Sequence, residues 1–189
     1  MQQSQQLSTR SKSTAAVAAG IMAVAGLAAI PASPSAAVGS SATVWTHVPS
    51  ACSPDEASFG RYNSHVASFK HARRARGQIV TRCNVVNLPE FGRGRIPVLE
   101  VLYRDRDGRW TREGVRVDLV QARPNGSTTI VARFNSNNYP GRAYTQRRRV
   151  AFNHAFDFNR NAYYVDVRVT RSSTSAAPEA STVRLTRIR

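Results

Sequence analysis

From residue 44 onward, apolar residues recur at every second position, the period of a strand with one buried face. Val44–Val48 predicts a first short strand, and Arg61–Phe69 a second with Tyr62, Val66 and Phe69 as core contacts. Over Gly77–Val86, Ile79, Thr81, Cys83 and Val85 share one face, while Val80, Arg82 and Asn84 share the other. Val98–Tyr103 is nearly continuous in apolar character, as expected of a central strand. Val115, Val117 and Leu119 alternate with Arg116 and Asp118, and Thr129–Phe134 follows. Val150, Phe152 and His154 lie opposite Arg149 and Asn153. Tyr163, Val165, Val167 and Val169 then face away from Tyr164, Asp166, Arg168 and Thr170, and Val183 and Leu185 close the pattern.

Turn chemistry separates these runs. Asp105-Arg106-Asp107-Gly108 and Arg123-Pro124-Asn125-Gly126 place Pro, Asn and Gly where tight turns use them. Longer polar loops are expected at Pro89–Ile96, Asn135–Tyr144 and Ser172–Glu179. After Pro49 no apolar stretch keeps a 3.6-residue period beyond about two turns. The fold class is therefore all-β: an antiparallel β-sandwich of about eight or nine strands. Jelly-roll-like and immunoglobulin-like topologies both fit, and no repeat at fixed interval points to a propeller or solenoid.

The N-terminus reads differently. Arg10 and Lys12 precede an uncharged run rich in Ala, Val and Gly from Thr14 to Ile30, and Pro31 breaks it. Ser35-Ala36-Ala37 offers the small residues a signal peptidase reads, so residues 1–37 are expected to be a signal peptide. The run is shorter and richer in Ala than a spanning helix, which makes an uncleaved anchor the weaker alternative. Residues 38–43 form a flexible lead, and 44–189 a single domain, secreted or extracytoplasmic, with no membrane span once the signal is removed. Cys52 and Cys83, the only cysteines, are expected to pair in an oxidising compartment. No Cys-x-x-Cys is present, and no His adjoins either thiol.

Charge adds a candidate chemistry. The 189-residue chain has 27 Lys+Arg against 11 Asp+Glu, a net +16. All its basic residues except Lys12 and Lys70 are Arg. Arg forks onto carboxylate, sulfate or phosphate, so an anion-binding surface is one reading; codon bias of a GC-rich genome is the plain one. Lys70, Arg73, Arg74 and Arg76 form the densest cluster, either a polyanion site or a solvated loop between strands. Arg147, Arg148 and Arg149 form a second, with Arg147 and Arg149 projecting together and Arg148 opposite. Arg116, Arg168 and Arg184 also take outward strand positions, and where such strands are neighbours they form a cationic sheet face, lined further by Tyr164 and Asn153. The alternative is a face on which Asp118 and Asp166 neutralise their Arg neighbours.

Catalytic chemistry is sparse. No Gly-x-Ser-x-Gly or His-Glu-x-x-His occurs. Glu100 in its apolar strand is expected to have a raised pKa, and Glu100, Asp157 and His154 stand only as placeholders for a glycan hydrolase. Asp105 and Asp107 begin like a calcium loop, but the twelfth position is Arg116 instead of Glu, leaving a hairpin turn. The sequence implies no catalytic residue, no cofactor and no metal.

Several pieces together resemble small secreted β-sandwich proteins of high-GC bacteria, many without assigned activity. They are the signal segment, Thr46-His47-Val48-Pro49-Ser50-Ala51-Cys52, Cys83-Asn84, Tyr103–Gly108 and Ala177-Pro178. That resemblance implies export and a sandwich, and carries no functional residue across. The expected function is an exported, non-enzymatic β-sandwich protein binding an anionic polymer: acidic polysaccharide, envelope phosphate polymer, anionic envelope lipid or extracellular DNA. A cell-surface structural or protein–protein module is the alternative. Export disfavours intracellular nucleic acid as a partner, and oligomeric state is left open.

Overall fold

The computed structural model describes residues 42–65, 67–88, 97–109 and 113–187. The signal segment 1–37 and the expected loop 89–96 lie outside the described residues, as does the side chain of Val66. Eleven strands follow one another: β1 Ala42–His47, β2 Ser53–Pro54, β3 Tyr62–His65, β4 Ser68–His71, β5 Gly77–Val85, β6 Pro97–Asp105, β7 Gly114–Ala122, β8 Thr128–Asn135, β9 Arg142–Ala151, β10 Ala162–Arg171 and β11 Glu179–Arg187. Short 3-10 turns occupy Pro49–Ala51, Glu56–Ser58 and Ser136–Asn138.

The strands make two antiparallel sheets. One has six strands in the order β3-β4-β11-β6-β9, with β1 pairing β11; the other has five, β2-β5-β10-β7-β8. The pairs β4·β11, β5·β10, β6·β9 and β7·β8 nest inside one another along the chain and alternate between sheets. That winding is a jelly roll, which decides between the two topologies left open by the alternation. β1, β2 and β3 are additions at its margins.

The core lies where the alternating faces meet. Ile79, Cys83, Val115, Val117, Leu119, Val165, Val167 and Val169 come from one sheet, and Phe69, Leu99, Val101, Tyr103, Val183 and Leu185 from the other. Tyr103 packs on Phe134 with ring centroids 4.8 Å apart. The Cys52–Cys83 disulfide ties the chain just after β1 to the inner face of β5. Asp105 fastens the β6–β7 end. Its Oδ1 accepts from the backbone N–H groups of Asp107 and Gly108 (both 3.2 Å), and its Oδ2 accepts from Ser136 Oγ at 2.6 Å. One carboxylate oxygen thus holds its own turn, and the other ties that turn to the 3-10 turn after β8. Gly108 and Gly141 cross there with no room for a side chain: a Cβ on Gly141 would sit 2.1 Å from the Arg106 carbonyl oxygen.

The pattern misplaced some elements. Arg61–Phe69 is two strands of a hairpin, β3 and β4. The strand expected around Val150–His154 is β9, which begins at Arg142 inside the expected loop and ends at Ala151. It is an edge strand exposed along much of its length, so apolar alternation is missing from its first half. Among the described residues, no helix is long and apolar enough to cross a membrane.

Candidate functional site

Three acidic side chains, buried beneath the outer faces of the sheets, organise the arginines around them. Asp118, on β7, has no exposed side-chain surface; it takes Arg133 Nε at 2.7 Å, Arg116 Nε at 3.0 Å and the Arg168 guanidinium. The β10 register explains the convergence, because Arg168 lies directly opposite Arg116, and Asp166 opposite Asp118. Asp166 accepts from Arg82 Nε at 2.8 Å, from Arg82 Nη2 at 3.0 Å and from Arg168 Nη2 at 3.2 Å. Four arginines therefore share two aspartates on this face. On the other sheet Glu100 takes Arg149 Nε at 2.7 Å, Arg184 Nη1 at 3.1 Å and Arg147 Nε at 3.7 Å.

The arginines in outward strand positions divide between the two sheets. Arg116, Arg168 and Tyr164 belong to the β2-β5-β10-β7-β8 sheet, whereas Arg147, Arg149 and Arg184 belong to the other. Asn153 lies beyond the end of β9. Arg147 and Arg149 do project together onto Glu100, and Arg148 turns the other way, half-buried, its guanidinium 4.9 Å from the Tyr139 ring centroid. Tyr164 lies under Arg82, whose guanidinium carbon is 3.9 Å from the ring centroid. Aspartate does pair with the arginines, as the alternative held, but a twofold or threefold excess of guanidinium over carboxylate remains at each cluster.

Lys70 ends up on β4, while Arg73, Arg74 and Arg76 lie exposed in the β4–β5 connection. The sequence reading missed Arg61, which comes to the same corner. Its carbonyl accepts from Ala72 N–H at 2.8 Å, and its guanidinium reaches within 3.7 Å of a Cβ built on Gly77. Alternation could not have placed it, because the β3–β4 hairpin returns the chain beside Arg61. Among the described residues, no carboxylate pairs with Arg61, Lys70, Arg73, Arg74 or Arg76 within 4.0 Å. At this corner five basic residues gather with no carboxylate partner among the described residues.

The titratable groups argue against the catalytic placeholders. Burial pushes the Glu100 carboxyl up, but the Arg149 hydrogen bond, the Arg147 charge and the Arg184 hydrogen bond outweigh it. The carboxyl ends below its ordinary value, the reverse of the expectation. Such a group stays ionised and is a poor proton donor near neutral pH. His154 is half-buried, with Nε2 3.1 Å from the Tyr163 hydroxyl, and burial lowers its pKa. Asp157 sits in the β9–β10 loop, where its backbone N–H donates to that same hydroxyl at 3.0 Å. His47 Nδ1 lies 3.8 Å from Cys52 Sγ, a neighbour that chain spacing hid. Both sulfurs are bonded to each other, which leaves no thiolate for a metal.

No family model matches the chain. No curated protein matches it either. Among solved structures it is similar to a carbohydrate-binding module, CBM36, in complex with calcium and xylotriose. That match has 11% identity and TM-score 0.41, over 75% of this chain and 99% of the other. It is also similar to the CBM22-1 xylan-binding domain of Paenibacillus barcinonensis Xyn10C, at 9% identity and TM-score 0.41, over 80% and 97% of the chains. A third is a cyclase from Fischerella sp. TAU, at 15% identity and TM-score 0.42, over 80% and 90%. Each likeness lies below the level at which a ligand or an activity carries over.

Proposed function

We propose that this protein is an exported, non-enzymatic binding protein, with residues 1–37 as its signal peptide and 44–189 as one domain. Its cationic surface holds an anionic polymer outside the cytoplasm. The observation that carries this reading is the contrast between the sheet faces and the β4–β5 corner. Most sheet-face arginines are fixed by buried carboxylates, whereas Arg61, Lys70, Arg73, Arg74 and Arg76 meet no carboxylate among the described residues. Cations crowded without counter-ions repel one another, and a polyanion relieves that repulsion while releasing its own condensed ions. The Cys52–Cys83 bridge fits an oxidising compartment.

The purified protein should be titrated with acidic polysaccharide, polyphosphate, DNA, anionic vesicles and neutral polysaccharide at low and moderate salt. Binding that is far tighter to polyanions than to neutral polysaccharide, and whose polyanion part is weakened strongly by salt, is the expected result. No binding to any polyanion at low salt would transfer the weight to a structural or protein–protein role.

A further inference from the structure

The outer face of β5 and β10 carries a groove of about 470 Å³. One wall is built by β2, whose Pro54 pairs with Thr81, and by Asp55, whose backbone N–H donates to the Val80 carbonyl at 3.1 Å. Val80 and Pro54 give it an aliphatic patch, around which stand Asp55, Gln78, Arg82 and Arg168. Arg82 is fixed by two hydrogen bonds to Asp166 and by the Tyr164 ring beneath it. Arg168 is fixed between Asp118 and Asp166. Asp55 Oδ1 already accepts from the Ser58 hydroxyl, whose oxygen takes the Val80 N–H at 2.7 Å. The groove therefore presents oriented guanidinium donors, an amide that both donates and accepts, and the second Asp55 carboxylate oxygen as acceptor. Among its lining residues Asp55 and Asp166 stand against Arg82 and Arg168, so its mouth carries less excess charge than the nearby corner, although the cluster beneath holds four arginines on two aspartates.

We propose that this groove seats a hydroxyl-rich sugar ring, so that the polymer held by the β4–β5 corner is an acidic polysaccharide. This rests on the anion-binding reading above and names its ligand class. A sugar ring offers hydroxyls that both donate and accept, matching Arg82, Gln78 and Asp55, and C–H faces that pack on Pro54 and Val80. A phosphate polymer gains nothing from Asp55, which repels it. A nucleobase needs an open aromatic face, and Arg82 already covers Tyr164. The two sites adjoin along the chain: Arg76 ends the corner and Gln78 opens the groove.

Three probes of matched length separate the sites: an oligogalacturonate, its neutral methyl ester, and polyphosphate. They are titrated into the wild-type protein, an Asp55→Asn/Gln78→Ala variant and an Arg73→Ser/Arg74→Ser/Arg76→Ser variant. The methyl ester is expected to bind weakly and with little dependence on salt. The groove variant should bind oligogalacturonate about tenfold more weakly, the size of a lost hydrogen bond or two, with polyphosphate unchanged. An ester that does not bind, or a groove variant that weakens polyphosphate equally, overturns the sugar groove. So does single-stranded DNA that displaces the ester. If instead the ester binds while the corner variant loses no affinity for either anion, the anion-binding reading fails on its own.

Discussion

Asp118, like Glu100 on the other sheet, holds three arginines on one buried carboxylate. It is fully buried, and Arg116, Arg133 and Arg168 all reach it from positions that are roughly a quarter to a half exposed. Asp118→Asn keeps the shape and removes the charge that holds three cations together. The arginines can turn to water, so the loss is expected to be about 2 kcal/mol rather than the larger cost of a stranded buried charge. A lowered urea midpoint with an unchanged slope would show it, and an unchanged midpoint would mean the pairs are energetically idle. Gly141→Ala tests a different constraint. Its methyl group would meet the Arg106 carbonyl at 2.1 Å, which the crossing turns cannot absorb without moving. A loss of about 1–3 kcal/mol in the same assay is expected.

Acid should weaken the fold in two stages. His71 is buried and its Nε2 bonds the Gly77 carbonyl at 3.0 Å; burial lowers its pKa, as it lowers that of His154. A folded pKa below the unfolded 6.5 means that the unfolded chain binds protons first. Stability is therefore complete above pH 6.5 and falls as the pH drops toward the folded values. Glu100, held below its ordinary 4.5, adds a second loss below that pH. Urea midpoints measured from pH 8 to pH 3 should trace both limbs, and His71→Gln with His154→Gln should flatten the upper one. A midpoint constant between pH 7 and pH 5 would contradict the assignment.

At the level of elements, legibility followed burial. β5, β7 and β10 lie inside their sheet, and their inward residues (Val and Leu on β7, Val on β10, Ile79, Thr81, Cys83 and Val85 on β5) alternate regularly with mostly polar ones, so their faces could be read directly. β9 was half hidden because Arg142–Thr145 are exposed on both faces, so that stretch has no buried side to give an apolar period. β2 is two residues long and marked by no pattern at all, yet it builds the groove wall. The same division holds for the site. Lys70, Arg73, Arg74 and Arg76 are contiguous in sequence, but Arg61 joins them only through the β3–β4 return, and the pairing of Arg168 with Arg116 depends on register. The Arg147–Arg149 run on edge strand β9 also fits the use of charge to block edge-to-edge pairing. The disulfide acts at this scale too, joining residues 31 apart. Cys52→Ala/Cys83→Ala is expected to cost roughly 3.5–4 kcal/mol by loop-closure entropy. Equal urea midpoints for the oxidised and reduced protein would refute that.

For the whole molecule, the distribution of charge matters more than its sum. A net +16 could be spread evenly, and it would then attract every polyanion alike. Instead the sheet faces hold their arginines on Asp118, Asp166 and Glu100, and the β4–β5 corner leaves its cations unpaired among the described residues. The measurement that tests this most directly is the salt dependence of binding to double-stranded DNA, used as a polyanion of known charge density. It should compare the wild-type protein with the Arg73→Ser/Arg74→Ser/Arg76→Ser variant. If the corner is the anion site, the variant's slope of log affinity against log salt should be shallower by about 2–3. Equal slopes and equal affinities would contradict the account, because binding would then belong to the arginines of the sheet faces.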